Sequence, residues 1–159
     1  MALRATFIVE KIAIPQIAVL CEALTRLNEL HLSAHPYTTP LYQTRIRYVP
    51  EDGAEEFADL PTVYQRGVGD CEDLACIRAA ECRRAGWPLA VALPLEVPRM
   101  QNGTRLIHIV VIRDPLRPLE TFEDPSARLG MPPIPAHLIP SLIEGSRPWL
   151  LPRCSSWRS

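Results

Sequence analysis

The sequence predicts a mixed α+β domain, and three observations carry that prediction. An amphipathic helical pattern covers residues 16–31, a capped helical pattern covers 71–85, and two strand-like apolar runs follow at 89–97 and 106–112. With 159 residues, the chain is long enough for one domain with a substantial core and too short for two of ordinary size. We therefore expect a single domain over residues 1–159.

Composition excludes several classes of function. The net charge is −1 with a pI near 6.4, which gives no general attraction to nucleic acid or to anionic membranes. The five cysteines include no C-x-x-C pair, so we expect neither a disulfide framework nor a metal site. We also expect that the protein has no cofactor and that it lies in a reducing compartment, the cytoplasm. The apolar run 12–20 has no convincing cleavage site after it, and no stretch approaches the ~20 apolar residues of a membrane span.

The N-terminal third predicts a strand followed by a helix. Residues 5–12 alternate loosely and contain Phe7, Ile8 and Val9, which favours a short strand. Pro15 opens the helical pattern, in which one face carries Ile17, Leu20, Leu24 and Leu27. The prolines of residues 33–40 end that helix.

The next segment is irregular. Residues 41–49 have the pattern of a strand or an extended loop, and 50–53 form a turn. Residues 55–60 are predicted to form one helical turn, which leads through Pro61 to the short segment 62–65.

The central helix is predicted to begin at Cys71 and to stop before Gly86. Asp70 is a suitable N-cap residue, and a glycine-loosened loop precedes it. Cys71, Ala75 and Ala79 lie at four-residue steps on one stripe, and these small residues would let a sheet approach closely.

The sequence after the central helix predicts three strands and then a tail. The runs 89–97 and 106–112 are joined by a loop that contains the turn dipeptide 102–103, and 119–122 is a third short strand. Residues 131–159 are rich in proline and are predicted to pack along the domain as an irregular tail.

Three residues form a candidate catalytic set in chain order. Cys71 lies at the start of a predicted helix, where the helix dipole stabilises a thiolate. His108 is the one polar residue of a predicted apolar strand, and Asp124 follows the next predicted strand. Cys71 would attack an amide carbonyl, His108 would hold the thiolate and protonate the leaving amine, and Asp124 would orient the ring. The acids on either side of Cys71 would raise its pKa, so a nearby imidazolium is required.

Several motifs together resemble a known family. They are the run 69–75 (GDCEDLA), the segment 78–86, the strand 108–111 (HIVV), and the segment 123–131, which begins EDPS. This pattern is similar to the transglutaminase-like branch of the papain-like cysteine-protease superfamily, and most of all to its short members encoded in tailed-phage and prophage structural clusters. The likeness covers about residues 41–131, leaving 1–40 as an N-terminal extension and 132–159 as the tail.

The resemblance implies a papain-like α+β fold with a central helix packed on an antiparallel sheet. It implies the triad Cys71, His108 and Asp124 and a protein or peptide substrate. It also implies phage structural proteins as possible partners, and the virion as the alternative to a cytoplasmic location. For the oxyanion, the backbone N–H of Cys71 is one candidate donor and Tyr64 or Gln65 another, with Asp70 as a supporting residue.

Each site residue also has a plainer interpretation. Cys71 could be a small buried helix residue, His108 a core histidine, and Asp124 a turn initiator before proline. Cys76 and Cys82 are assigned to the core. Three functions stay open: a cysteine-dependent amide or isopeptide hydrolase, which is favoured; a transglutaminase-type acyltransferase; and a non-catalytic phage assembly protein.

Overall fold

A computed structural model describes residues 4–6, 13–51, 56–98 and 105–150 of the chain. The helices are α1 (Ile14–Ala34), α2 (Leu60–Arg66), α3 (Cys71–Arg84), α4 (Pro125–Arg128) and α5 (Ile139–Gly145). The strands are β1 (Arg4–Thr6), β2 (Arg47–Tyr48), β3 (Glu56–Ala58), β4 (Val68–Gly69), β5 (Val91–Pro98), β6 (Arg105–Ile112) and β7 (Phe122–Glu123). Short 3₁₀ turns lie at Leu41–Gln43, Ala136–Leu138 and Arg147–Trp149. The molecule is therefore a mixed α+β fold, as the sequence predicts.

The main sheet is antiparallel, with strand order β5-β6-β7. The β5–β6 ladder runs without interruption from Val91 opposite Ile112 to Pro98 opposite Arg105, and Val111 lies opposite Glu123 of β7. Two smaller pairs complete the strands: β1 with β3, antiparallel, and β2 with β4, parallel.

Helix α3 packs on one face of this sheet. Ala75 and Ala79 are fully buried and belong to the same cluster as Ile109 and Val111 of β6. Because alanine adds only a methyl group, the helix can approach the strand closely, which confirms the predicted small-residue stripe. Helix α1 adds Ile17, Cys21 and Leu24 to this cluster, so the N-terminal extension is part of the core.

The opposite face of the sheet is covered by the C-terminal segment. Leu93, Leu95, Val110 and Ile112 form a buried cluster with Ile134, Ile143 and Leu150. The described part of the predicted irregular tail is thus partly helical, with α5 between two 3₁₀ turns. No helix among the described ranges is both long enough and apolar enough to cross a membrane.

Several predicted elements change in type or extent. The helical turn predicted for 55–60 is wrong at residues 56–58, which form β3 and pair with β1, and helix begins only at Leu60, the first residue of α2. The third strand is at 122–123 rather than 119–122, and 41–49 contains a 3₁₀ turn as well as β2. The first strand is described only at 4–6; residues 7–12, the turn dipeptide 102–103 and Cys154 lie outside the described ranges.

Candidate functional site

The start of α3 is built as the sequence predicts. Asp70 has an extended backbone and its Oδ1 accepts a hydrogen bond from the backbone N–H of Asp73 at 3.4 Å, so it caps the helix. Cys71 is the first helical residue. The backbone of Gly69 passes so close to α2 and α3 that a Cβ there would lie 3.2 Å from Val63 Cγ1.

His108 and Asp124 are joined directly. His108 Nε2 and Asp124 Oδ2 are 3.0 Å apart, and the histidine side chain is only 2% exposed. The other carboxylate oxygen of Asp124 accepts from the backbone N–H of Ala127, which caps α4. Asp124 therefore caps a helix, as its turn interpretation predicts, and the same carboxylate contacts the imidazole.

Cys71 and His108 line one cleft of about 330 Å³, together with Tyr48, Phe57, Glu72 and Ile109. Within the described residues, the hydrogen-bond partner of the sulfur is Glu72: Cys71 Sγ donates to Glu72 Oε2 at 3.2 Å. The sulfur is half-buried and does not hydrogen-bond the imidazole. The structure thus brings histidine and aspartate into contact and places the cysteine in the same cleft with its thiol turned to the acid.

The electrostatic surroundings oppose a thiolate at Cys71. Burial raises the pKa of the thiol well above its usual value, and the charges of Glu72 and Asp70 raise it further. A backbone hydrogen bond from Ile109 acts in the opposite direction and is outweighed. The flanking acids thus raise the thiol pKa as the sequence predicts, and burial, which the sequence analysis did not consider, is the largest cause.

The acids themselves are buried close together. Burial and the charge of Asp70 raise the pKa of Glu72 well above its usual value, and the same two causes raise the pKa of Asp73 to about 9. Asp73 Oδ1 accepts from the backbone N–H of Ala58 at 2.7 Å, which ties β3 to α3. Oxygens of Glu51, Asp70 and Glu72 lie within 4.8 Å of one another, a spacing at which carboxylates could hold a metal ion.

Two of the three candidate oxyanion donors, the side chains of Tyr64 and Gln65, lie outside the cleft. Tyr64 donates its hydroxyl hydrogen to the backbone oxygen of Thr39 at 2.7 Å, Gln65 is exposed, and neither lines the cleft. Tyr48 does line it. Burial, followed by the proximity of Cys71 and Asp70, raises the pKa of Tyr48 to about 12, so its hydroxyl keeps its proton. The sequence analysis missed this residue because an aromatic residue in a short strand resembles ordinary packing.

The other described cysteines are core residues. Cys21, Cys76 and Cys82 are at most 2% exposed, which confirms the core assignment of the last two. Burial raises the pKa of Cys82 to about 11.

Comparison with known proteins identifies no relative, since no family model, no curated protein and no solved structure matches the chain.

Proposed function

We propose that this chain is a cysteine-dependent amide or isopeptide hydrolase of the transglutaminase-like, papain-like type. The observation that carries the proposal is the 3.0 Å contact between His108 Nε2 and Asp124 Oδ2 at a cleft that Cys71 also lines. A central helix that begins with the cysteine and packs on an antiparallel sheet supports the papain-like assignment. Its substrate is an amide of a peptide or protein.

The Asp124 contact decides which ring nitrogen can act. A carboxylate only accepts hydrogen bonds, so the Nε2 proton of His108 points at Asp124 and Nδ1 keeps its lone pair. Nδ1 is then the general base. Because the thiol pKa is raised, the proton leaves the sulfur as the attack occurs, after the Cys71 side chain rotates away from Glu72.

The reaction is a two-step acyl transfer to water. The sulfur forms a bond to the carbonyl carbon, the carbonyl π electrons move to oxygen, and the proton passes through His108 to the leaving amine as the C–N bond breaks. Water then attacks the thioester, with the same imidazole as base, and releases the acid and the thiol. Cys71 and Tyr48 both line the cleft, so the Cys71 backbone N–H and the Tyr48 hydroxyl are the candidate donors to the oxyanion.

The test uses a library of fluorogenic peptide amides together with an epoxysuccinyl peptide, which alkylates catalytic thiols. We expect release of the fluorophore and one covalent adduct, mapped to Cys71 by mass spectrometry. His108→Gln removes the base and should lower the rate of release on the order of 10²–10⁴-fold. His137→Gln, at an exposed histidine, is the matched control and should change neither readout.

A second candidate function has its own observation. The hydrogen bond from Cys71 to Glu72, with the raised pKa of the thiol, favours a protein that keeps the fold without turnover, such as an assembly component of a phage particle. That candidate predicts no release of fluorophore, and alkylation of Cys71 at the same rate in wild type and His108→Gln.

A further inference from the structure

A second polar cluster joins α3, the helix that begins with Cys71, to β7, the strand that directly precedes Asp124. Its centre is Glu123, the residue directly before Asp124. Arg78 of α3 donates from Nε to Glu123 Oε1 at 2.7 Å and from a terminal nitrogen to Oε2 at 3.5 Å. The Tyr42 hydroxyl donates to the same Oε1. Three segments of the chain therefore meet on one carboxylate.

The cluster continues to the 3₁₀ turn at Leu41–Gln43. Arg78 also donates to Glu81 Oε2 at 3.0 Å, and Glu81 Oε1 accepts from the backbone N–H of Leu41 at 2.6 Å. Two guanidinium groups lie over the ring of Tyr42, with the Arg128 carbon 3.9 Å and the Arg78 carbon 5.0 Å from the ring centroid. Both the ring and the hydroxyl of Tyr42 are thus engaged.

Burial makes these contacts strong. The side chains of Arg78, Glu81 and Glu123 are 23%, 10% and 16% exposed, so water screens their charges less than at a surface ion pair. Burial alone would raise the pKa of Glu123, but the hydrogen bonds from Arg78 and Tyr42 outweigh burial and hold that pKa below its usual value. Glu123 is therefore ionised and paired at neutral pH.

The position of the cluster relates it to the site. Arg78 follows Cys71 by seven residues, which is about two helical turns, or ~10 Å along the axis, and within about 20° of the same face. Glu123 and Asp124 are neighbours in the chain. The ion pair thus fixes the distance between the helix that carries the sulfur and the strand end that carries the carboxylate.

We propose that Tyr42, Arg78 and Glu123 are positioning residues that set Asp124 against His108 and hold that pair in register with Cys71. The proposal rests on the proposed function. Its consequence is that the Asp124–His108 hydrogen bond depends on a half-buried ion pair whose side chains hydrogen-bond to neither residue. Arginine is required at position 78 because its planar fork reaches both oxygens of Glu123, whereas lysine supplies a point charge.

The test measures the hydrogen bond itself, by the proton resonance of His108 Nε2–H in protein labelled with ¹⁵N-histidine. Asp124→Asn sets the reference for a perturbed bond. We expect Arg78→Lys and Glu123→Gln to move or broaden this resonance toward that reference. Tyr42→Phe, which removes one oxygen and leaves the ring, should do so to a smaller extent. Arg147→Lys, in the exposed ion pair with Glu144, is the matched control and should leave the resonance unchanged.

Turnover gives the second readout. Displacing a catalytic group by about 1 Å can cost on the order of 100-fold, so we expect kcat of Arg78→Lys on a fluorogenic amide to fall 10- to 100-fold with KM unchanged. The proposal is overturned if Arg78→Lys, Glu123→Gln and Tyr42→Phe all keep the wild-type His108 Nε2–H resonance while Asp124→Asn loses it. If wild type shows no turnover, the proposed function fails, and the resonance still decides whether the cluster positions Asp124.

Discussion

At Cys71 the local fields oppose one another, and their balance decides how the thiol can react. The helix N-terminus favours negative charge by about 0.3–1 kcal/mol at exposed sites. Burial and the acids on both sides of the residue act against it, and the pKa of the thiol is raised as a result. One of these acids, Asp70, also caps the helix, so the residue that begins α3 contributes to making its cysteine a poor thiolate.

Glu72→Gln should therefore increase the reactivity of Cys71. The substitution removes the carboxylate that contacts the sulfur and that raises its pKa, so the thiolate forms at lower pH. We expect the pH profile of Cys71 alkylation by iodoacetamide, followed by mass spectrometry, to shift toward lower pH. At any pH below the wild-type thiol pKa the rate should rise.

Glu120→Gln is a matched control for that experiment, because this side chain is 71% exposed and does not line the cleft. Its alkylation profile should coincide with that of wild type. An unchanged profile in Glu72→Gln would mean that burial alone sets the thiol pKa and that the flanking acid has no part in it.

At the scale of elements, the turn from β4 into α3 depends on a glycine for space rather than for its backbone angles. A Cβ at position 69 would lie 3.2 Å from Val63 Cγ1 and 3.3 Å from both Asp73 Cβ and Leu74 Cδ2. These neighbours are themselves buried and belong to α2 and α3. The close approach is what brings β4, and with it Asp70 and Cys71, against the core.

Gly69→Ala should consequently destabilise the fold. The added methyl group must displace packed atoms, and overpacking of this kind typically costs about 1–3 kcal/mol in the free energy of unfolding. Urea denaturation followed by circular dichroism measures the loss. Gly145→Ala at the end of α5 is the control, since nothing lies within 4 Å of a Cβ there, and it should be neutral or slightly stabilising. Equal midpoints for the two variants would contradict the packing argument.

For the whole molecule, local patterns predicted most of the elements and the pairing of His108 with Asp124, but they missed a strand that forms by long-range pairing and the side-chain contact of Cys71. Caps, alanine spacing and apolar runs are local signals, so α1, α3, β5 and β6 could be predicted nearly to their ends. The strand at 56–58 could not, because it forms by pairing with β1 some fifty residues earlier. The contact between Cys71 and Glu72 depends on a side-chain rotamer and on burial, neither of which a sequence motif specifies.

The role of the C-terminal segment is another property of the whole fold, since its helix has no amphipathic signal strong enough to predict. Ile143 of α5 is 2% exposed and packs with Leu93 and Val110 on the sheet face opposite α3.

Ile143→Ala leaves a cavity there and should lower the free energy of unfolding by about 2–5 kcal/mol, measured by urea denaturation. Ile143 does not line the cleft, so alkylation of Cys71 under native conditions should keep its wild-type rate. Leu30→Ala on α1, at a side chain 68% exposed, should change stability by only about 0.5 kcal/mol or less. If Ile143→Ala is as mild as that control, the C-terminal segment does not support the sheet, and the domain must draw its stability from α1 and α3 alone.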